Sequence, residues 1–292
     1  MIYINLFVYY FGYLIFPLTI YLIWQYNNIN KFLFSIGIIF CLGFIYSRFI
    51  ETKILLKKYY QLNFGLNKKI RIAVFADLHF GTMNRDGILK KIVKKINESR
   101  VDIVFAPGDF AHNISKKQIN TYFEDLKNIK APIYAVFGNH DYGMTGNDVS
   151  KELTEKFKEL NVKLITNKVE EIKIKNKSIS IVGLDDYDKK EAAYDLITGI
   201  KKKDLYIVLA HNPDAVYEFP DSRPDLLISG HTHGGQIRLP ILYKKAIPSN
   251  HGFNKGFYDI NNVKVFITSG VGNCTVPFRF LVPPELNIID IN

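Results

Sequence analysis

The sequence predicts an α/β domain built from two packed sheets with helices outside, preceded by a membrane anchor. Three observations lead there. Beyond residue 68, short apolar runs alternate with helix-patterned stretches, the rhythm of a layered α/β domain. Five of those apolar runs end in a motif of His, Asp or Asn, so polar side chains are gathered along one rim of a sheet. The first 50 residues, in contrast, contain no Asp or Glu and only Lys31 and Arg48 as basic residues.

The anchor comes first along the chain. Residues 2–24 form an uncharged apolar run, long enough at about 1.5 Å per helical residue to cross roughly 30 Å of hydrocarbon. Pro17 can kink such a helix without breaking it in a membrane. After the polar residues 25–31, a second and shorter apolar run spans 32–46 or a little beyond. The expected arrangement is two transmembrane helices within 1–50, with a single anchor as the alternative, because the second run falls below the usual ~17 to 25 residues. A cleaved signal peptide fits less well: no basic segment opens the chain and no small-residue cleavage pattern follows the first run.

Residues 51–67 read as a basic juxtamembrane linker. Arg48, Lys53, Lys57, Lys58, Lys68, Lys69 and Arg71 crowd behind the second run against Glu51, whereas the loop between the runs carries only Lys31. By the positive-inside rule the remainder of the chain faces the cytoplasm at a cell membrane. The same patch suits anionic lipid head groups; a solvated helix face is the bland alternative. No twin-Arg export signal opposes this orientation.

Residues 68–292 form the α/β domain, and 48% apolar composition over 292 residues is enough to bury a substantial core. Strands are expected at 70–76, 101–106 and 133–137, with helices at 87–98, near 115–127 and at 148–160. A strand-rich middle covers 162–165, 169–174 and 178–182, the last two joined by the turn-like Lys175-Asn176-Lys177. The final third repeats the pattern through 205–210, 226–229, 263–268 and 286–291. No internal repeat or low-complexity linker interrupts it.

The net charge of +10 divides into +2 for the first 50 residues and +8 for the rest. In that remainder Lys and Arg are interspersed with Asp and Glu, which argues against nucleic acid as the partner. Cys41 lies in the second apolar run and Cys274 near the C-terminus, next to no ligand motif, so neither a disulfide nor a thiolate-metal site is expected.

The motifs, in order, are Asp77-Leu78-His79, Gly108-Asp109, Gly138-Asn139-His140-Asp141, His211, and Gly230-His231-Thr232-His233. Two residues apart on an extended strand end, Asp77 and His79 point to the same side and can hold one cation, with Leu78 turned inward. Asp109, behind a glycine that permits a tight turn, is placed to bridge two cations with its carboxylate oxygens. Asn139 offers a neutral amide oxygen, and His231 and His233 repeat the two-residue spacing within a glycine-rich loop. Mixed His, Asp and Asn donors favour Mn, Fe, Zn or Mg over soft-metal chemistry. Taken singly, each motif is also consistent with a surface turn or a satisfied histidine. Their ordered recurrence after successive strands is what gives them meaning.

This set resembles the calcineurin-like metallophosphoesterase superfamily over essentially all of 68–292. The stretch 230–236, Gly-His-Thr-His-Gly-Gly-Gln, with Pro277, Arg279 and Pro283-Pro284-Glu285, is similar to its membrane-anchored bacterial branch, which includes UDP-2,3-diacylglucosamine pyrophosphatases of lipid A synthesis. The resemblance implies an αββα sandwich in which Asp77, His79, Asp109 and His233 hold one divalent metal and Asp109, Asn139, His211 and His231 a second. Two such cations, Mn²⁺ in the first instance, roughly 3.5 to 4 Å apart, would activate a water for in-line attack at phosphorus. It further implies His140 as the group that stabilises developing charge or protonates the leaving group, with Asp141 orienting it through a hydrogen bond.

Members often carry a carboxylate three residues after the Gly-Asp aspartate, where this chain has His112. His112 is expected to be peripheral, with a ligand or substrate contact as the alternative, and His251 to be solvated in its polar loop or else to line the substrate groove. The implied activity is hydrolysis of a phosphodiester or pyrophosphate on a lipid-linked substrate at the bilayer. Alternatives are a membrane-anchored phosphodiesterase acting on a soluble nucleotide or nucleic acid, and a non-catalytic scaffold on the same fold.

Overall fold

The computed structural model describes residues 10–81, 87–144, 146–201, 203–220, 223–240 and 243–292. Two six-stranded sheets face each other. The first runs in the order β1 (Leu56–Leu62), β14 (Glu285–Ile291), β2 (Ile70–Val74), β4 (Ile103–Pro107), β6 (Ile133–Val136) and β7 (Val162–Leu164). The second runs β12 (Gly256–Ile260), β13 (Val263–Ile267), β11 (Leu226–Ser229), β10 (Leu205–Leu209), β9 (Lys177–Gly183) and β8 (Lys168–Ile174). A short parallel pair, β3 (Phe80–Gly81) with β5 (Ala111–His112), lies beside them.

The side-chain period of two builds both interfaces from the same strands. In β2, Ile70, Ile72 and Val74 enter the core between the sheets, while Ala73 turns toward the helices. β4 divides likewise: Ile103 and Phe105 face the second sheet, Val104 and Ala106 the helical layer. In β10, Leu205, Ile207 and Leu209 return from the other side, and Tyr206 and Val208 point outward into a third core. Strands buried on both faces read as unbroken apolar runs, which is why these central ones were legible. Each large apolar side chain so buried stabilises the fold by roughly 1.5–3 kcal/mol.

One outer layer is helical. It contains α3 (Ile88–Ser99), α4 (Lys116–Tyr122) and α5 (Ser150–Glu159), counting after the two N-terminal helices α1 (Ile15–Trp24) and α2 (Lys31–Ile45). α3 buries Ile88, Leu89, Ile92, Val93 and Ile96, one stripe at helical spacing. α4 begins with a capping box between Ser115 and Gln118. The outer layer on the second sheet is different in kind. Among the described residues it is made of short 3-10 turns at Tyr187–Lys189, Tyr194–Ile197 and Pro213–Glu218 that seat Ile197, Ala215 and Val216 on the sheet.

The N-terminal region departs from expectation in two respects. Among the described residues, Lys31–Lys53 is the one helix long and apolar enough to cross a membrane, with a mean hydropathy of 2.0, whereas the apolar helix before it, Gly12–Trp24, is shorter. The first part of the expected 2–24 span, residues 2–9, lies outside the described residues. The second run extends beyond residue 46 because one π turn and one 3-10 turn continue the helix through Arg48 and Glu51 to Lys53. The stretch expected as a linker also belongs to the fold, since Leu56–Leu62 pairs in parallel with Glu285–Ile291 along its full length. Its alternation of Lys, Tyr and Gln masked an edge strand, where polar side chains are tolerated and discourage further pairing.

Several of the basic residues that suggested an orientation are occupied. Arg48 is buried, with its guanidinium 5.0 Å from the Phe49 ring centre, and Lys69 and Arg71 both pair with Asp290.

Candidate metal centre

The strand ends deliver the polar residues to one rim. Asp77 and His79 follow β2, Asp109 follows β4, Asn139 and His140 follow β6, His211 follows β10, and His231 and His233 follow β11. The local geometry differs from that expected. Asp77 (φ 58°) and His79 (φ 48°) lie in the left-handed region, as do Asp109 (φ 56°), His231 (φ 70°) and His233 (φ 49°). The shared direction of Asp77 and His79 therefore comes from a twisted loop beyond the strand and not from strand alternation. Leu78 between them is buried in the helix-side core, as expected. Such backbone costs on the order of 1–3 kcal/mol per residue and persists only where surrounding contacts enforce it.

Glycines make the necessary room. A Cβ on Gly108, itself at φ 82°, would sit 2.7 Å from both His211 Nδ1 and the Gly138 amide nitrogen. At Gly270 (φ 69°) it would sit 2.5 Å from Asp77 Oδ2.

Two groups of donors result. Asp77, His79 and His233 form one and Asp109, His211 and His231 the other, the ligand atoms within each lying within 4.8 Å of one another. In the first, His79 Nε2 and His233 Nε2 are 2.9 Å apart, and His233 Nε2 is 3.9 Å from Asp77 Oδ1. In the second, His231 Nδ1 and His211 Nε2 are 3.2 Å apart. Asp109 joins them: its Oδ2 lies 3.4 Å from His79 Nε2 and 3.2 Å from His211 Nε2. Its other oxygen accepts the His140 amide N–H at 3.0 Å.

The donor set fits divalent cations. Asp77 Oδ2 and Asn139 Oδ1 are buried acceptors with no hydrogen-bond partner among the described residues, an arrangement that costs about 1–3 kcal/mol per group unless a cation satisfies it. His211 Nδ1 lies 2.8 Å from the Pro107 carbonyl oxygen. That oxygen can only accept, so Nδ1 carries a proton and Nε2 is the nitrogen turned toward the cluster. Burial holds His79 and His233 well below the ordinary histidine value and His231 at about 3, so these imidazoles are neutral and can ligate. For Asp109, burial would raise the carboxyl, but the adjacent His211, whose imidazole this carboxylate in turn holds well above the ordinary histidine value, outweighs burial and keeps it well below the usual range.

Asp141 takes a different place from the one expected. One oxygen accepts the Gly138 and Asp109 amides, each at 3.0 Å, and the other the Ala111 amide at 2.9 Å. It clamps the loops after β4 and β6 under the ligands, in place of orienting the His140 ring. Burial and the nearby Asp109 charge push its carboxyl up to about 8, against the pull of these amides.

His112 is not peripheral. It is buried, and its ring packs at a tilt 4.6 Å from that of His140, which in turn meets His79 edge-on at 4.7 Å. Cys274, expected to be far from any ligand motif, brings Sγ to 3.5 Å from His140 Nε2. The reach of 134 residues between them left no sequence signal. Asp186 and Asp188 also arrive unannounced: Asn139 Nδ2 donates to Asp188 Oδ2 at 3.2 Å, and burial pushes the Asp186 carboxyl up to about 7. Here a signal existed, because Gly183-Leu184-Asp185-Asp186 is one more strand-end acidic motif. His251 is exposed and stacks on Tyr217 at 3.8 Å.

Arg279, wholly buried, organises the last side of the site. It donates to the carbonyls of Gly272, Ser269 and Val282, and its Nη2 lies 3.3 Å from His233 Nδ1. Gln236 clamps the same loop, donating to the Cys274 and Val276 carbonyls and accepting the Cys274 amide at 2.7 Å.

Two facing mixed sheets with two histidine–aspartate clusters sharing one carboxylate define a metallophosphoesterase. The chain belongs to the calcineurin-like phosphoesterase family, whose sequence profile matches residues 70–235. It is similar to the uncharacterized metallophosphoesterase YkuE of Bacillus subtilis, at 28% identity over 85% of this chain and 90% of that one. An uncharacterized metallophosphoesterase of Helicobacter pylori is 30% identical over 81% of this chain, which spans 61% of that relative's length. The UDP-2,3-diacylglucosamine pyrophosphatase LpxG of Chlamydia muridarum is 25% identical over 85% of this chain and 92% of its own.

Proposed function

We propose that the chain is a binuclear hydrolase of phosphodiester or pyrophosphate bonds, in which Asp77, His79, Asp109 and His233 hold one divalent cation and Asp109, Asn139, His211 and His231 the other. The observation that carries this reading is Asp109, whose single oxygen stands within 3.4 Å of an imidazole nitrogen from each cluster. When bound, a pair of divalent cations, Mn²⁺ foremost, with Fe, Zn or Mg as alternatives, supplies charge neutralisation at the phosphate and an acidified water. The chain's own part is to hold the cluster rigid and to manage protons. His140, fixed through its backbone to Asp109 and with its ring beside His79, is the group placed to donate a proton to the departing oxygen.

For the substrate, the reading is a lipid-linked nucleotide sugar such as UDP-2,3-diacylglucosamine, cleaved by water into a nucleoside monophosphate and a lipid-sugar phosphate at the cytoplasmic face. Similarity to LpxG supports it, and so does the way the apolar helix is joined to the site. Ser47 accepts the Arg279 amide at 3.0 Å, Phe44 packs edge-on against Phe278 at 4.9 Å, and Arg279 itself reaches His233. A helix seated in a bilayer, with α1 beside it as the second span, would thus hold the cleft at a fixed height above the lipid. Leu281, exposed, lies at that junction with its amide held by Glu51.

The test is hydrolysis by the full-length protein with Mn²⁺, comparing UDP-diacylglucosamine in mixed micelles with a soluble diester dye. Cleavage of the dye alone would leave a membrane-anchored phosphodiesterase acting on soluble nucleotides. Cleavage of neither, with metal bound, would point to a scaffold.

A further inference from the structure

We propose that His112, His140 and Cys274 form a third cation site, selective for a thiophilic divalent ion such as Zn²⁺ or Cd²⁺, and that its occupancy inhibits the enzyme. Ligand atoms of these three residues and of His79 lie within 4.8 Å of one another. Cys274 Sγ is 3.5 Å from His140 Nε2, close to the separation of adjacent donors around a tetrahedral ion with bonds of about 2.3 Å to sulfur and 2.0–2.1 Å to nitrogen. The His112 and His140 rings lie tilted with centres 4.6 Å apart, and His79 closes the inner side, 5.7 Å from His112.

The donor chemistry separates this site from the oxygen-rich pair. Asp77, Asp109 and Asn139 suit Mn²⁺ or Mg²⁺, whereas one thiolate and two imidazoles suit zinc and its heavier congener. Binding exchanges a proton for the ion: the Cys274 S–H bond breaks, the proton leaves to water, and the sulfur lone pair goes to the cation. The ring nitrogens of His112 and His140 supply the other two donors. Cys274 is the partly exposed member of the cluster, beside three buried histidines. Once bound, the ion occupies the His140 nitrogen needed for proton transfer. The inhibitory part rests on the hydrolase reading; the binding part does not.

The experiment uses the full-length protein in detergent micelles, loaded with Mn²⁺ and titrated with Cd²⁺. Ultraviolet sulfur-to-cadmium charge-transfer absorption reports binding, and hydrolysis of a diester dye is followed in parallel. One equivalent of Cd²⁺ should raise the band and lower turnover together. Cys274→Ser should abolish the band and raise the Cd²⁺ concentration for half-inhibition, relative to that variant's own rate, at least by the roughly 10- to 100-fold that changes around metal ligands cost. His112→Gln should keep the band but weaken binding by a similar factor, with near-ultraviolet dichroism verifying the fold of both variants. Absence of the band, or equal Cd²⁺ sensitivity in wild type and Cys274→Ser, overturns the site. A normal band in a protein that hydrolyses nothing leaves the site standing and removes the hydrolase reading instead.

Discussion

The carboxylate of Glu51, near the end of the membrane-length helix, accepts the backbone N–H of Leu281 at 2.9 Å and that of Val282 at 2.5 Å. Both contacts are local in space and about 230 residues apart in sequence. They fasten the helix to the loop that also carries Arg279 and Cys274, so this helix is part of the site's support.

Replacing that carboxylate should loosen the loop. Glu51→Ala leaves two amides without their acceptor, at about 1–3 kcal/mol for each that stays buried. The expected outcome is a lower melting temperature in detergent and faster proteolysis between residues 274 and 285. An unchanged cleavage pattern there would show the helix to be a passive tether.

Arg279 should behave as a positioning residue for the metal centre. Its guanidinium gathers the carbonyls of Gly272, Ser269 and Val282 behind His233, and lysine cannot reproduce that planar fork. Arg279→Lys is expected to lower metal affinity by about 10- to 100-fold, partly recoverable with excess Mn²⁺. Calorimetric metal titration measures this, and wild-type affinity in the variant would contradict it.

Asp109 and Asn139 should differ as ligands. Asp109→Ala removes the oxygen between both clusters and should weaken both cations and abolish turnover, while Asn139→Ala should weaken one. Elemental analysis of the two proteins at limiting Mn²⁺ separates the cases. Equal small losses in both would argue against a shared carboxylate.

His140→Ala is expected to keep its metal and lose rate by about a hundredfold or more, most strongly on substrates with a poor leaving group. Loss of metal on this substitution would make His140 a ligand.

The pairing of β2 with β14 carries a pH signature. Asp290 accepts Arg71 Nε at 2.6 Å and Nη2 at 2.9 Å, and these bonds hold its carboxyl below the ordinary aspartate value of 3.8. Because the folded value is the lower one, the unfolded chain takes the proton first. The stabilisation is therefore complete above 3.8 and is lost as pH falls through the folded value. It should amount to about 1 kcal/mol or less after solvent screening. Wild type and Asp290→Asn should differ by a constant margin near neutrality and converge in acid. A margin that persists in acid would assign the effect to packing.

The α/β layering and the polar motifs at the strand ends were legible in the sequence, because both are local. A strand buried on two faces must be apolar over its whole length, as at Ile133–Val136 and Leu205–Leu209, and its polar ligands can only follow where the run ends. The edge strand Leu56–Leu62 was illegible for the opposite reason: one side meets solvent, so its composition matches a linker. The tertiary structure alone decided what depends on distant segments converging. It placed His112 and Cys274 against His140, turned Asp77 and His79 through left-handed backbone, committed Asp141 to backbone amides, and joined Glu51 to Leu281. Such contacts bring together residues that share no periodicity, and only packing of the whole chain specifies them.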